Sequence, residues 1–198
     1  MTICEQKKTI RQNVKKILKS LEVNPQNHLD ESNRISKKLC ASKEFNECDY
    51  VFAYVAKFPE ADCTFAIKKA LSLEKKVCVP RVTENCKMEF FLLKNTVPLE
   101  NQLENGMFGI KEPLTSLQKI NLQNKSLCGK KIFIIVPALA FSKDGKRLGR
   151  GKGFYDRYIA RLKKCGASVF SAGFCYAAQI FDDIPCDFFD EKVDSVFF

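Results

Sequence analysis

The chain has 198 residues, of which 45% are hydrophobic and 28% charged, so it is long enough for one globular domain and too apolar for a disordered segment. Its formal net charge of +10 favours anionic partners such as nucleotides, polyanionic cofactors or nucleic acid. No apolar run approaches the ~18 residues of a membrane-spanning helix, and residues 1–20 lack the apolar segment of a secretory signal. We therefore expect a cytoplasmic protein without a membrane partner, although an organelle or a longer precursor stays open.

The ten cysteines contain no CxxC pair, and His28 is the single histidine, so the spacing typical of a zinc site is absent. In an intracellular protein we expect these cysteines to be reduced. Several should be small core residues, such as Cys78 between two valines.

The first predicted element is an amphipathic helix. Its hydrophobic positions recur at i, i+4, i+7, i+8 and i+11, at Ile10, Val14, Ile17, Leu18 and Leu21. Pro25 marks the following turn, and a weaker helix is predicted over residues 30–41. His28 is assigned to the intervening loop and has no predicted catalytic role.

Short apolar runs then alternate with helical patterns. Strands are predicted at residues 50–55, 77–79, 88–93, 132–136, 168–174 and 193–198. Helices are predicted over residues 63–74 and from Tyr155 to Leu162, with Gly166 ending the second. Residues 94–131 show no clear pattern apart from a shaped loop at 105–113.

This alternation predicts one domain over residues 1–198, of the α/β class. We expect a three-layer α/β/α arrangement with a mostly parallel central sheet. Ligands bind at the carboxyl ends of the strands in such sheets. The polar loops after Val55, Val79 and Val136 should therefore lie beside the functional site.

Residues 147–156 are the strongest functional feature, since three glycines alternate with two cations and Arg147 precedes them. Glycine-rich backbone and positive side chains favour an anion, and Asp156 could bind Mg²⁺. The segment matches neither the P-loop, because Gly153 follows Lys152, nor the dinucleotide pattern, because Phe154 stands where a glycine is needed. A glycine turn that simply begins a helix is the alternative.

The other candidate residues are individually weak. Lys7 and Arg11 share a helix face, which could clamp phosphate, although spacing alone favours a solvated charged face. Glu60 and Asp62 could bind a ligand or serve as ordinary loop carboxylates or helix caps. Asp190 and Asp194 are candidate metal ligands, but aspartate is also common in turns.

Several segments together resemble the 5-formyltetrahydrofolate cyclo-ligase family, also called methenyltetrahydrofolate synthetase. The longest match combines residues 137–141 with residues 144–157. Shorter matches, in the family's order, are Lys7 to Arg11, Glu60-Ala61-Asp62, residues 108–113 and residues 185–196. The chain departs from the family where Phe154 replaces the usual Tyr and where Phe189, rather than a polar residue, precedes Asp190. Residues 114–130 match little.

The resemblance implies ATP- and Mg²⁺-dependent closure of 5-formyltetrahydrofolate to 5,10-methenyltetrahydrofolate, with release of ADP and phosphate. It implies ATP binding by Lys7, Lys8, Arg11, Arg147, Leu148, Gly149, Arg150, Gly151, Lys152, Gly153, Phe154 and Tyr155. Glu60, Asp62, Arg150, Phe154 and Tyr155 would contact the folate. Arg150 and Lys152 would be catalytic, while Asp156 and Asp190 would hold Mg²⁺.

We expect a monomer that acts on small molecules, with the surplus positive charge attracting the folate's glutamate tail. Two other interpretations stay open. One is a basic nucleic-acid-binding protein, which the dispersed lysines and the lack of a recognised motif disfavour. The other is a family member that binds nucleotide or folate without turnover.

Overall fold

The computed structural model describes residues 2–20, 25–83, 87–123, 126–188 and 190–198. Its α-helices are α1 (Ile3–Ser20), α2 (Pro25–Cys40), α3 (Lys43–Glu47), α4 (Thr64–Ser72) and α5 (Phe154–Lys164). Its strands are β1 (Tyr50–Phe52), β2 (Lys76–Val82), β3 (Met88–Leu92), β4 (Leu103–Asn105), β5 (Lys111–Pro113), β6 (Gln118–Lys119), β7 (Lys131–Val136), β8 (Ala140–Ser142), β9 (Arg147–Leu148), β10 (Ser168–Phe174), β11 (Ile180–Phe181) and β12 (Ser195–Phe197).

The main sheet has seven strands in the order β12-β10-β7-β1-β2-β3-β6. The five strands from β12 to β2 are parallel, while β3 and β6 add an antiparallel edge. Strand β7 is buried from Ile132 to Val136, as expected for a central strand covered on both faces. The predicted mostly parallel sheet is confirmed.

Two hydrophobic clusters cover the two faces of this sheet. One includes residues from the first four helices, namely Val14, Leu18, Ile35, Leu39, Phe45 and Ile67. The other packs Tyr158, Ile159 and Leu162 of α5 against strand residues such as Phe90 and Ile134. Helices therefore lie on both faces, and the predicted α/β/α layering is confirmed.

The observed element bounds differ from the prediction in places that have physical reasons. Strand β2 continues through Pro80, although proline has no backbone N–H to donate. This is tolerated because, within the described residues, β1 pairs with β2 only as far as Cys78. Helix α2 begins at Pro25, a residue type favoured in a first helical turn, so His28 is helical rather than in a loop. Leu21 of the predicted first helix lies outside the described residues.

A second, three-stranded sheet joins the main sheet to the glycine-rich segment. Strands β8 and β9 form an antiparallel hairpin, and β11 pairs with β8 in parallel. Gly145 in the hairpin turn has φ +86°, and a side chain there would collide with the carbonyl oxygen of Val193. This close approach fixes the hairpin against the C-terminal segment.

The nine described cysteines are free thiols, and Cys78 is completely buried in the core, as predicted. Cys86 lies outside the described residues. Among the described helices, none combines the length and the hydropathy needed to cross a bilayer.

Candidate functional site

A cleft of about 980 Å³ lies at the carboxyl ends of the central strands. Val55 after β1, Val82 at the end of β2 and Ala138 after β7 all line it. The cleft is thus at the sheet edge where ligands bind in parallel α/β folds. Its other walls include α1, residues 57–60, residues 110–112, the glycine-rich segment and the loop before β12.

The glycine-rich loop, residues 149–153, connects β9 to α5 and lines the cleft throughout. Gly151 has φ +92° and Gly153, which precedes the first turn of α5, has φ +62°. These left-handed conformations favour glycine and turn the backbone toward the helix N-terminus, whose free N–H groups suit an anion. Arg150 and Lys152 alternate with the glycines, and both are exposed to solvent.

Arg147 is the buried cation of the site. Its Nη2 donates to Asp156 Oδ1 at 2.5 Å, and the two side chains are only 6% and 18% exposed. Asp156 Oδ1 also accepts the backbone N–H of Glu191 at 3.2 Å. The Nε of Arg147 is buried and has no hydrogen-bond partner within the described residues. Arg147 also lines the cleft and so places a fixed positive charge beside it.

Helix α1 brings two further cations to the cleft. Lys7 Nζ donates to Asp187 Oδ2 at 2.8 Å and to Asp190 Oδ2 at 2.5 Å. Burial lowers the pKa of Lys7, but the hydrogen bonds and charges of the two aspartates outweigh it and leave the pKa raised. Arg11 Nε donates to the carbonyl oxygen of Gly149 at 3.1 Å. The solvated-face alternative for Lys7 and Arg11 is therefore wrong.

The two predicted acidic residues after β1, Glu60 and Asp62, have different surroundings. Glu60 Oε1 accepts from Arg150 Nη2 at 2.7 Å across the cleft. Asp62 does not line the cleft; its Oδ1 instead accepts the N–H of Thr64 at 2.8 Å, at the start of α4. The geometry thus favours a ligand role for Glu60 and the ordinary loop-carboxylate alternative for Asp62, which precedes the N-cap residue Cys63.

Aromatic rings form the apolar side of the cleft. Phe154 and Tyr155 line it together with Tyr54, whose hydroxyl donates to the carbonyl oxygen of Ala61. Burial raises the pKa of both Tyr54 and Tyr155, so both phenols are neutral near pH 7. Flat, neutral rings of this kind suit a planar ligand.

Three carboxylates of the cleft could contribute to a metal site: Asp156, Asp187 and Asp190. Each accepts from a cationic side chain, Arg147 or Lys7. The described residues contain no group of three or more metal-ligating side chains. Mg²⁺ in nucleotide sites commonly takes one or two carboxylates with phosphate oxygens and water, so the donor set fits that metal only together with a nucleotide.

Other predicted site residues fall outside the cleft. Lys8 is exposed and does not line it. Asp194 is a structural residue, because its Oδ2 accepts from the N–H and the hydroxyl of Ser171 at 2.7 and 2.6 Å. Phe189 lies outside the described residues.

Asp187 and Glu112 are lining residues that sequence reasoning missed. Asp187 lies three residues before Asp190, a spacing that could have signalled a carboxylate pair. Glu112 is buried, and its Oε1 accepts the N–H of Val82 at 3.1 Å. Its side chain occupies the space where a side chain at residue 106 would lie, which explains Gly106.

The fold and the cleft together define an α/β protein with a cationic, glycine-rich cleft beside an aromatic wall, a combination suited to a phosphate-bearing ligand. Comparison with known proteins agrees with this class. The 5-formyltetrahydrofolate cyclo-ligase family matches residues 3–198.

A Caenorhabditis elegans protein named as a probable 5-formyltetrahydrofolate cyclo-ligase is 28% identical over 96% of this chain and 93% of its own length. A Schizosaccharomyces pombe protein of the same name is 30% identical over 85% of each chain. The NMR structure of Aquifex aeolicus 5,10-methenyltetrahydrofolate synthetase superimposes with a TM-score of 0.73 and 27% identity, covering 100% of this chain and 89% of that one.

The chain belongs to the 5-formyltetrahydrofolate cyclo-ligase family. The predicted family, the ligase class and the reaction with ATP and 5-formyltetrahydrofolate are confirmed by this family membership.

Proposed function

We propose that the cleft positions ATP and 5-formyltetrahydrofolate so that the formyl oxygen attacks the γ-phosphorus and ADP leaves. N10 then attacks the activated formyl carbon and loses its proton, and the former formyl oxygen departs with phosphate. Ring closure gives 5,10-methenyltetrahydrofolate. Phosphorylation is needed because an amide oxygen is a poor leaving group.

The observation that supports this proposal most strongly is the set of cations around the glycine-rich loop. Phosphoryl transfer requires positioning and charge neutralisation rather than a covalent nucleophile. Arg147, with its buried unpartnered Nε, is suited to a phosphate oxygen. Arg150 and Lys152 are the catalytic residues in this proposal, since they can stabilise the charge that develops during transfer.

Two cations of α1 complete the nucleotide site. Arg11 contacts the loop at Gly149, and Lys7 lies between two carboxylates of the same cleft. We assign both to the triphosphate, together with the loop backbone from Leu148 to Gly153. Lys8 is left out of this assignment because it does not line the cleft.

The folate would lie against Phe154 and Tyr155, with Glu60 accepting from the N–H edge of the pterin. Glu60 is bonded to Arg150 at 2.7 Å. The pterin would take Glu60 and the phosphate would take Arg150, so binding of both ligands satisfies both partners of this ion pair. Because Phe154 has no hydroxyl, it can contribute ring contact but no hydrogen bond.

Asp156 and Asp190 would hold Mg²⁺ with the nucleotide. A bound Mg²⁺ supplies charge neutralisation on the phosphate oxygens. The contribution of the chain itself is to orient these carboxylates through Arg147 and Lys7.

We also propose that residues 1–198 act as one domain and as a monomer in the cytoplasm. The family match over residues 3–198 and a single main sheet from Tyr50 to Phe197 support one domain. Free thiols at the nine described cysteines support a reducing compartment.

The test is the absorbance of methenyl-folate with 5-formyltetrahydrofolate, Mg²⁺ and ATP, each omitted in turn. We expect product only when all three are present. Folate or nucleotide binding without ATP-dependent product would instead favour the non-catalytic alternative. Salt-dependent oligonucleotide binding without either would favour the nucleic-acid alternative.

A further inference from the structure

Three buried polar side chains form a network outside the cleft. The hydroxyl oxygen of Tyr176 lies 3.0 Å from His28 Nδ1 and 3.0 Å from Ser32 Oγ. Tyr176, His28 and Ser32 are all buried, and none of them belongs to the described lining of the cleft. Burial raises the pKa of Tyr176, so its hydroxyl keeps a proton to share near pH 7. We call these three side chains the Tyr176 network.

The Tyr176 network holds the loop over residues 57–62, most of whose residues line the cleft. Ser32 Oγ accepts the backbone N–H of Asp62 at 3.0 Å, at the end of this loop. The ring of His28 packs against the ring of Phe58, with the two centroids 5.0 Å apart, in the middle of the loop. The network therefore contacts this cleft loop at two points.

The position of Glu60 in the cleft depends on this loop. The N–H of Glu60 donates to the carbonyl oxygen of Lys57 at 2.9 Å, and its Oε2 accepts the N–H of Lys57 at 3.0 Å. These two bonds orient the Glu60 carboxylate within the loop, so the carboxylate moves when the loop moves. Tyr54 supports the same loop through the carbonyl oxygen of Ala61. Loss of the Tyr176 network should therefore shift the loop rather than unfold it.

The other side of the network is anchored to the loop after β7. The N–H of Tyr176 donates to Gln179 Oε1 at 2.9 Å. Gln179 Nε2 donates in turn to the carbonyl oxygens of Ala138 and Leu139, at 3.0 and 3.1 Å. The oxygen and both N–H donors of this buried amide thus have partners. Tyr176 is therefore fixed relative to Ala138, which lines the cleft.

We propose that the Tyr176 network positions the binding site for 5-formyltetrahydrofolate. It holds residues 57–62 so that the Glu60 carboxylate meets the pterin, and its three members are positioning residues that do not touch the substrate. This inference rests on the folate contact of Glu60 in the proposed function. A buried hydrogen-bond network favours one arrangement of the attached loop, because each member restricts its neighbour.

Tyr176→Phe removes the shared hydroxyl and keeps the ring. We expect the KM and the dissociation constant for 5-formyltetrahydrofolate to rise about fivefold, the effect of one buried hydrogen bond. The kcat and the KM for ATP should not change, because the proposed Glu60 contact is to the pterin and not to the reacting atoms. Ser32→Ala should change the folate constants in the same direction. Steady-state kinetics and equilibrium dialysis provide the two measurements.

A double-mutant cycle tests whether the hydroxyl acts through Glu60. In a Glu60→Gln background, Tyr176→Phe should raise the folate KM by less than about twofold, since the contact that it positions is already weakened. Tyr50→Phe is the matched control. It removes a phenol hydroxyl that lies 3.3 Å from Lys76 Nζ, on a buried residue at the opposite end of β1 from the cleft, and should leave all constants unchanged.

Unchanged folate constants in both Tyr176→Phe and Ser32→Ala would overturn the proposal. An equal rise in the KM for ATP, or the full rise in the folate KM in the Glu60→Gln background, would also overturn it. A lowered kcat with unchanged KM values would show that the network only stabilises the fold.

Failure of the proposed function gives different results. If Glu60 does not contact the pterin, Glu60→Gln alone leaves folate binding unchanged, and the positioning role is overturned with it. If the proposed reaction fails, the wild-type protein gives no ATP-dependent product, while equilibrium dialysis still compares folate binding among the variants.

Discussion

The guanidinium of Arg147 and the carboxylate of Asp156 meet at 2.5 Å beneath the glycine-rich loop, joining the strand that enters the loop to the helix that leaves it. The pair holds the two ends of the loop together. It also places a largely buried positive charge in the lining of the cleft.

Asp156→Ala should therefore destabilise the fold. Removing one partner of a largely buried pair leaves an uncompensated charge, and we expect a loss of about 3 kcal/mol in the free energy of unfolding. Urea denaturation measures it. Asp187→Ala is the control, because Asp187 is 48% exposed and should cost less than about 1 kcal/mol. Equal losses for both variants would refute the structural role of the pair.

Lys152→Ala should reduce kcat by about 100-fold, in line with the loss of one group that stabilises transition-state charge. Lys152 is exposed, so the unfolding midpoint should not change. Steady-state absorbance kinetics provide the measurement. Lys143→Ala removes an exposed lysine that does not line the cleft and should retain normal turnover. If Lys152→Ala turned over as fast as the control, its assigned role would be wrong.

Gly145→Ala should be much more destabilising than Gly129→Ala. Both glycines have positive φ, +86° and +71°, but a side chain at 145 meets the Val193 carbonyl, whereas nothing lies within 4 Å of one at 129. We expect the free energy of unfolding to fall by about 1 kcal/mol for Gly129→Ala, from backbone strain alone. For Gly145→Ala we expect it to fall by at least about 3 kcal/mol. Thermal unfolding of both variants checks this. Similar midpoints would show that the hairpin does not depend on the close approach.

The hairpin should also make stability depend on pH at acid values. Hydrogen bonds from Ser142 and Lys192 lower the pKa of Asp144 from 3.8 to about 2. Because the pKa of Asp144 is lower in the folded state than in the unfolded state, its ionised form stabilises the fold at any pH above the unfolded-state pKa. This stabilisation is lost as the pH falls toward the folded-state pKa. The difference in melting temperature between wild type and Asp144→Asn should thus be constant above about pH 5. It should shrink between pH 4 and 2, whereas a constant difference over that interval would contradict the pairing.

Long apolar runs made the main sheet predictable. Residues 132–136 are a continuous hydrophobic segment, residues 168–174 are a mostly apolar one, and both are interior strands of the sheet. The two- and three-residue strands β4, β5 and β6 were not predictable, because they are polar and short and are defined only by their partners. The position of β3 was predicted, but its antiparallel direction is not determined by the sequence pattern.

The glycine-rich loop was predictable as an anion site because its composition is unusual over a short stretch. The Lys7 contacts were not, since Asp187 and Asp190 lie about 180 residues away in the chain and meet Lys7 only after folding. Asp62 and Glu60 are equivalent by residue type. Only the folded backbone, which directs Asp62 to the N–H of Thr64 and Glu60 to the cleft, distinguishes a loop carboxylate from a cleft residue.

The central claim is that the formyl oxygen is phosphorylated within this cationic cleft. The most direct test uses 5-formyltetrahydrofolate with a heavy oxygen isotope in the formyl group and follows the label by mass spectrometry of the released phosphate. We predict that each phosphate acquires the labelled oxygen and that labelled phosphate is absent without ATP. Unlabelled phosphate, formed together with methenyl-folate, would contradict the account.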